Sequence, residues 1–385
     1  MAPLRIAIVA GESSGDALGS HLVAALHARL PQAEFIGIGG PKMIAAGVQS
    51  FFPMEKLSVM GFNEVLRNLF SILALRRQLK AKLLALRPQI YIGVDAPDFN
   101  FGVERALRKQ GIATVHFASP SIWAWRGKRI HKIKRAVDHM LVLFPFEKSI
   151  YDRAGVPATY VGHPLADEIP VESDCNAARD QLKLSHAATI VALLPGSRRS
   201  ELYQHADLFV QTAQRLSELN PSVQFLAPLV TPETHNLFQA ALYRNQAQNL
   251  PITLLFGRAQ AAMAAANCVL VASGTATLEA ALLKKPMVIT YRIPKLTYRL
   301  LRRRFYLPYF GLPNVLAGRF VVPELMQDQA TPENLAQALH TWLADKPAQE
   351  KLAATFKQMH LELRQNTAQR ATDAILSLLH RQGVC

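Results

Sequence analysis

The chain has 385 residues, half of them apolar, which is more than one hydrophobic core ordinarily serves and suggests two domains of ordinary size. A net charge of +15 points to an anionic partner, whether a nucleic acid, an anionic bilayer surface or a phosphorylated substrate, without choosing among them. Cys175, Cys268 and Cys385 are too scattered for a zinc site and suit a reducing cytoplasm. The amino-terminal apolar stretch is too short for a signal sequence, and no window reaches the roughly 18 to 20 apolar residues of a membrane span, so any membrane contact is expected to be peripheral.

Short apolar runs alternate with longer segments of helical period, the pattern of βαβ units, so the expected fold class is α/β with parallel sheets. Residues 4–10 read as the first strand, followed by a helix near 16–30, and 34–38, 90–94, 112–117 and 139–143 read as later strands of one doubly wound sheet. The polar stretch 167–176 has no period and reads as a linker. A second series follows, with strands near 189–194, 223–227, 252–255, 268–271 and 287–290. Two helical stretches come after Pro332, the last around 349–379. The expected organisation is a Rossmann-like domain over 1–167, a second over 177–345, and a helical segment over 346–385 that packs back on the first domain or on a partner subunit. The two domains are expected to face each other across a cleft, with ligands beyond the carboxyl ends of the strands.

Four strand-to-helix junctions carry residues with chemistry to offer. In Gly11-Glu-Ser-Ser-Gly-Asp16, backbone N–H groups at a helix start suit an anion or a hydroxyl, and Glu12 suits sugar hydroxyls better than a diphosphate; Ser14 or Asp16 could instead simply cap the helix. In Val94-Asp-Ala-Pro-Asp-Phe-Asn100, Asp95 stands where a strand opens and fits a general base for an attacking hydroxyl, with Asp98 in reserve; a turn capped by an aspartate is the plainer reading. In Leu193-Leu-Pro-Gly-Ser-Arg-Arg-Ser-Glu201, Gly196 and Ser197 free backbone donors and Arg198 offers a fork for phosphate oxygens, Arg199 being the more solvent-facing of the pair. In Ala272-Ser-Gly-Thr-Ala-Thr-Leu-Glu279, Ser273, Gly274 and Thr275 could approach phosphates while Glu279 accepts ribose hydroxyls, against the alternative of ordinary capping. No ATPase loop spacing is present.

Three stretches place apolar side chains beside basic clusters: 65–75 leading into Arg76, Arg77, Lys80 and Lys82; 122–135; and 295–304 before 305–310. Each alone reads as a buried helix with a basic face, and the three together suggest an anionic membrane surface.

The motifs GESSGD, VDAPDFN, SPSIWAWR, FPFEK, VGHP, LLPGSR, SGTATLE and LPN, in order from Gly11 to Asn314, resemble those of the lipid A disaccharide synthase family, and the likeness covers nearly the whole chain. The resemblance implies a GT-B-type fold. It implies transfer of 2,3-diacylglucosamine from its UDP conjugate to 2,3-diacylglucosamine 1-phosphate (lipid X), giving a β-1,6-linked disaccharide and UDP. It implies Asp95 as the base, Glu12 as an essential amino-terminal glutamate, Arg198 in the diphosphate loop, Glu279 and Asn314 at the UDP-sugar site, and the 65–75 region as the part that docks on membrane and acyl chains. Pro164 after His163 and the added base at Arg199 depart from the family pattern. No metal or cofactor is implied; the expected place is the cytoplasmic face of the inner membrane, and the carboxyl-terminal segment can serve a swapped homodimer. Three other readings stand beside this one: another UDP-sugar enzyme, such as a cell-wall transferase or an epimerase; a basic nucleic-acid-binding protein; and a non-catalytic lipid-surface protein. The second is disfavoured because no RNP-like strand, helix-turn-helix or zinc pattern is present.

Overall fold

The computed structural model describes residues 3–57, 62–294, 298, 306–381 and 383, with side chains for all of these except 62–69. The basic stretch 295–305, apart from Tyr298, lies outside the described residues, as does Cys385. The chain divides into two compact units, Met1–Asp167 with Leu363–Cys385, and Glu168–Glu362.

The first unit is built on a seven-stranded parallel sheet of β1 (Arg5–Ala10), β2 (Glu34–Ile38), β3 (Val48–Ser50), β4 (Ile90–Val94), β5 (Ala113–Phe117), β6 (His139–Val142) and β7 (Ala158–Tyr160), in the order β3-β2-β1-β4-β5-β6-β7. Its principal helices are α1 (Ser13–Arg29), α2 (Pro41–Ala45), α3 (Phe62–Leu86), α4 (Pro97–Arg108), α5 (Ile130–Ala136) and α6 (Pro145–Ala154). Every residue of β4 and β5 is buried, as strands covered by helices on both faces require, and this is why they read in the sequence as unbroken apolar runs. The edge strands β3 and β7, three residues each, are too short to leave a period and were not expected from the sequence.

After α7 (Pro164–Glu168) and α8 (Cys175–Gln181), the second unit forms a six-stranded parallel sheet of β8 (Thr189–Leu194), β9 (Val223–Leu229), β10 (Ile252–Phe256), β11 (Cys268–Ala272), β12 (Met287–Tyr291) and β13 (Glu324–Met326), in the order β10-β9-β8-β11-β12-β13. Its helices are α9 (Arg199–Leu219), α10 (Pro232–Arg244), α11 (Ala259–Ala265), α12 (Thr275–Leu282), α13 (Leu312–Ala317) and α14 (Pro332–Ala344). The linker drawn at 167–176 is partly helical, and Asp174 caps α8 by accepting from the backbone of Asn176 and Ala177 at 2.8 and 3.0 Å.

The single closing helix expected around 349–379 is two helices, α15 (Lys346–Leu363) and α16 (Thr367–Arg381). Asn366 breaks it with a φ of 54°, and Asp167 caps the new start by accepting from the Asn366 and Thr367 amides at 2.9 and 2.7 Å. The segment drawn over 346–385 therefore divides: residues up to Glu362 group with the second unit, and those from Leu363 return to the first. There Ala371, Ile375, Leu376, Leu378 and Leu379 join the core of the first sheet, and Arg29 pairs with Asp373 at 3.1 Å.

The returning chain is pinned against Gly162. His163 donates its amide to the Leu363 carbonyl at 2.9 Å, Gly162 has a φ of 88°, and a Cβ on it would lie 2.6 Å from the Leu363 oxygen and 2.5 Å from Gln365 Cβ. Both the backbone conformation and the space demand glycine. Gly162→Ala is expected to destabilise the protein by about 1–3 kcal/mol, read as a lowered denaturation midpoint in urea.

Candidate active site

In a doubly wound sheet, strands that send their connections to opposite faces leave a crevice at their carboxyl ends. In the first unit that point lies between β1 and β4, where Ala10 pairs with Val94. Gly11-Glu12 and Asp95-Ala96 leave the sheet side by side. A Cβ on Gly11 would stand 2.7 Å from Ala96 Cβ, so glycine there lets the two junctions meet, and the Gly15 position lies in ordinary contact with Asp95, 3.8 Å from its Cβ. Asp95 and Ala96 have φ values of 51° and 44°, both in the left-handed region that side-chain-bearing residues avoid. Two such residues in succession store on the order of 1–3 kcal/mol each, strain that clusters at functional sites.

Of the acidic candidates here, Glu12 is the N-cap residue of α1, half-buried, with its side chain not spent on capping. Asp95 is half-buried at the neighbouring junction. Asp98 is turned to solvent, 83% exposed, and forms an ion pair with Arg129. Asp16 is a cap, but of a different helix from the one the sequence suggested: it is 3% exposed and accepts from the amides of Gly40, Lys42 and Met43 at 2.8, 3.0 and 3.0 Å, closing the start of α2.

In the second unit the corresponding point lies between β8 and β11. A cavity of about 400 Å³ opens there, lined by Ser197, Arg198 and Glu201 from the β8 side and by Ser273, Gly274, Thr275 and Glu279 from the β11 side, with Tyr291 closing one wall. With Gly196, which also lines the cavity, the structure thus brings together seven of the residues singled out from the sequence.

One expectation about this cavity needs correcting. The Ser197 and Arg198 amides are not free donors: Glu201 Oε2 accepts both, at 2.8 and 3.2 Å, and a Cβ on Gly196 would fall 2.5 Å from Glu201 Cβ. A carboxylate three or four residues on is the nearest acceptor for N–H groups at a helix start, and it takes them before any ligand can. Positive character on this side therefore comes from the Arg198 side chain, 55% exposed and 3.7 Å from Glu201. Arg199 turns elsewhere, pairing with Glu233 at 3.1 Å and donating to Tyr203 Oη at 3.0 Å, so Arg198 is the arginine that faces the cavity. Opposite, the N-terminus of α12 has no side-chain cap. Glu279 lies one turn into α12, and burial, reinforced by Glu168, raises its carboxyl above the ordinary range, so it can both accept from and, when protonated, donate to a bound ligand.

Asn314 does not line this cavity. It is fully buried; its amide nitrogen donates to the Val322 carbonyl and to Glu324 Oε1 at 2.9 and 2.7 Å, and its oxygen accepts from Val321 and Val322 at 2.7 and 3.0 Å. Glu324 in turn accepts from the Phe310 and Gly311 amides, so the pair clamps the loop that enters α13. Among the described residues, no group of three or more His, Cys, Asp or Glu is placed to hold a metal ion.

The lipid-A-disaccharide synthetase profile matches residues 6–377. The chain belongs to that family. Proteins named lipid-A-disaccharide synthase from Methylobacillus flagellatus and Dechloromonas aromatica are 55% and 56% identical to it, spanning 97% and 98% of this chain and 99% of each relative. Among solved structures, UDP-GlcNAc 2-epimerase from Neisseria meningitidis bound to UDP-GlcNAc superposes with a TM-score of 0.61 at 13% identity, over 98% of this chain and all of that one. Acinetobacter baumannii MurG superposes with a TM-score of 0.57 at 16% identity, over 97% and 100%. These two likenesses show the fold alone: two Rossmann-like domains of the GT-B kind. Family membership disfavours the epimerase, cell-wall transferase and nucleic-acid readings.

Sequence reasoning gave no role to three buried or half-buried residues, of which one braces the second site. Glu201 is the first. Glu147 and His163, beyond the ends of β6 and β7, are the others. Glu147 accepts from the Phe144 amide at 3.0 Å, and burial pushes its carboxyl up to about 7. His163 stacks on Phe144 at 5.7 Å, and burial pushes its imidazole down to about 4. FPFEK and VGHP were visible as motifs, but only the three-dimensional burial distinguishes them from surface polar residues.

The signs of these two shifts oppose. The folded protein holds the Glu147 proton more tightly than the unfolded chain, so that contribution is lost as pH rises from about 4.5 to 7; it holds the His163 proton less tightly, so that contribution is gained as pH rises from about 4 to 6.5. Each is worth roughly 3 kcal/mol at 1.36 kcal/mol per pH unit. Glu147→Gln removes one partner of this balance. Its stability relative to wild type is expected to improve by about 3 kcal/mol between pH 4.5 and 7.5 in urea unfolding, whereas an unchanged difference would mean that Glu147 stays ionised throughout.

Proposed function

We propose that the chain transfers 2,3-diacylglucosamine from its UDP conjugate to the 6-hydroxyl of 2,3-diacylglucosamine 1-phosphate, forming a β-1,6-linked disaccharide and releasing UDP. Donor binding is assigned to the second unit and acceptor activation to the first. The observation that carries the reading is the cavity at the β8/β11 switch point, where Arg198 and the uncapped start of α12 converge on space for a diphosphate and Glu279 offers a protonatable acceptor for ribose hydroxyls. Asp95 takes the proton from the attacking hydroxyl as its oxygen bonds to the anomeric carbon; the bond to the diphosphate breaks, and Arg198 with the α12 terminus stabilises the charge that UDP carries away. Glu12, at the neighbouring junction, orients the acceptor sugar through its hydroxyls. The mechanism invokes no metal ion.

The test is acceptor-dependent formation of the disaccharide, checked by mass, with UDP release followed in parallel. Asp95→Asn is expected to lower kcat by about 100-fold or more while UDP affinity stays unchanged, and Arg198→Ala to weaken UDP binding and lower kcat/KM by about 100-fold. Full turnover in Asp95→Asn would move the base to Glu12 or Asp98.

The lipid substrates call for docking at a membrane surface, and the described part of α3 supports that reading. Phe70 is 82% exposed, Leu73 and Leu84 are exposed on the same side at helical spacing, and Arg77 stands between them, with Lys82 above the Phe51 ring at 3.8 Å. Such a stripe suits peripheral docking on the anionic cytoplasmic face of the inner membrane. Among the described residues, no helix is long and apolar enough to cross a membrane. The basic stretch 122–135 contributes less, because Arg129 is paired with Asp98 and Lys134 donates to the Ala154 carbonyl. Phe70→Asp is expected to reduce co-sedimentation with vesicles containing phosphatidylglycerol by about tenfold, with binding to neutral vesicles weak for both proteins.

A further inference from the structure

Asn100 closes the motif that carries Asp95, and nothing in the proposed reaction uses it. Its side chain is fully buried beneath the β4–α4 junction. Nδ2 donates to the Asp95 carbonyl at 2.8 Å and to the Val9 carbonyl at 3.3 Å, and Oδ1 accepts from the Tyr91 hydroxyl at 2.7 Å. Tyr91 is itself fully buried, and burial raises its hydroxyl well above the ordinary range, so it stays a donor. A Cβ on Gly93 would come within 2.9 Å of Asn100 Cβ, so the strand leaves the amide little room to shift.

Burying an amide is unfavourable unless its hydrogen bonds are made, and an apolar residue would fill this place at lower cost if packing were the sole requirement. The partners show what the amide holds. The Asp95 carbonyl belongs to the residue at φ 51° that opens the left-handed pair, and the Val9 carbonyl lies on β1, two residues before the Gly11-Glu12 junction. One side chain thus holds the strained turn and ties it to the strand that leads into Glu12.

We propose that Asn100, oriented by Tyr91, is a positioning residue for Asp95: it fixes the left-handed turn that directs the Asp95 carboxylate and sets its distance from Glu12. The proposal rests on the reading of Asp95 as the base. Without the amide, the turn relaxes toward ordinary backbone geometry and the carboxylate swings away from the acceptor hydroxyl, a loss in kcat rather than in donor binding.

Asn100→Asp and Tyr91→Phe test it in the full-length enzyme. In Asn100→Asp the new carboxyl donates to a carbonyl while protonated and repels both carbonyls once ionised. Its kcat is therefore expected to fall at least about 30-fold below wild type at pH 8 and to recover as the pH is lowered toward 5.5, giving a pH profile that wild type does not show. Tyr91→Phe, which keeps the ring, is expected to lose about 3- to 10-fold in kcat. In both, the donor KM and the calorimetric UDP affinity are expected to stay within about twofold of wild type. A wild-type kcat for Asn100→Asp at every pH overturns the proposal, as does a pH-independent loss matched by lost UDP binding or lost folded protein. Asp95→Asn, assayed alongside, separates the two failures: turnover there overturns the base reading itself, whereas an inactive Asp95→Asn beside a fully active Asn100→Asp overturns the brace alone.

Discussion

Parallel strands joined by right-handed crossovers leave their sheet open to a ligand only where two neighbours send their connections to opposite faces, and both units of this chain are organised by that constraint. In the first the break falls between β1 and β4, in the second between β8 and β11. Each break gathers two junctions that are distant in sequence, Gly11-Glu12 with Asp95-Ala96 and Gly196-Arg198 with Ser273-Thr275. Motifs spread along the chain thereby resolve into two compact sites. The same constraint accounts for a glycine: Gly11 has no side chain because the neighbouring junction, at Ala96 Cβ, occupies the place where a Cβ would stand.

Polar residues within these motifs divide into two kinds. Some face open space, as Arg198, Thr275 and Glu279 face the cavity. Others are turned inward to satisfy backbone groups that the sharp junctions leave unpaired, since buried N–H and C=O groups must find partners. Asp16 takes the amides at the start of α2, Glu201 those of its own loop, Asn314 and Glu324 those on either side of α13, and Asn100 the carbonyls of Asp95 and Val9. A junction steep enough to present a functional side chain is also steep enough to need such a brace.

That division explains how much was legible in the sequence. The long buried strands and the α/β class were, because period and apolar content are local properties; the three-residue edge strands β3, β7 and β13 were not, because they exist through pairing alone. The break at Asn366 was hidden because apolar spacing continues across it, and only Asp167, far away in sequence, makes a new helix start favourable there. Site motifs were legible as places and less so as roles. Asp16 reads as a cap of the helix it lies in, yet it caps a helix whose amides begin at Gly40. The sequence points to Arg199 as the more solvent-facing of the two arginines, and the proximity of Glu233 and Tyr203 to Arg199 gives the physical reason.

Net charge was the weakest guide, for a physical reason. Many of the arginines are engaged within the fold: Arg179 donates to the Ala265 carbonyl and Asn267, and Arg108 to Asp138 and the Lys134 carbonyl. An arginine whose donors are already satisfied has little to offer a phosphate. Arg198 differs because the carboxylate nearest to it is committed elsewhere: Glu201 Oε2 is occupied by two backbone amides, which leaves Oε1 to hold the guanidinium at the loose distance of 3.7 Å. On the proposed reading, a diphosphate would meet a guanidinium held by no closer carboxylate than that, and would bring two adjacent anionic groups where Glu201 offers half of one. The loop brace thus ties down the backbone of the junction while holding its arginine loosely.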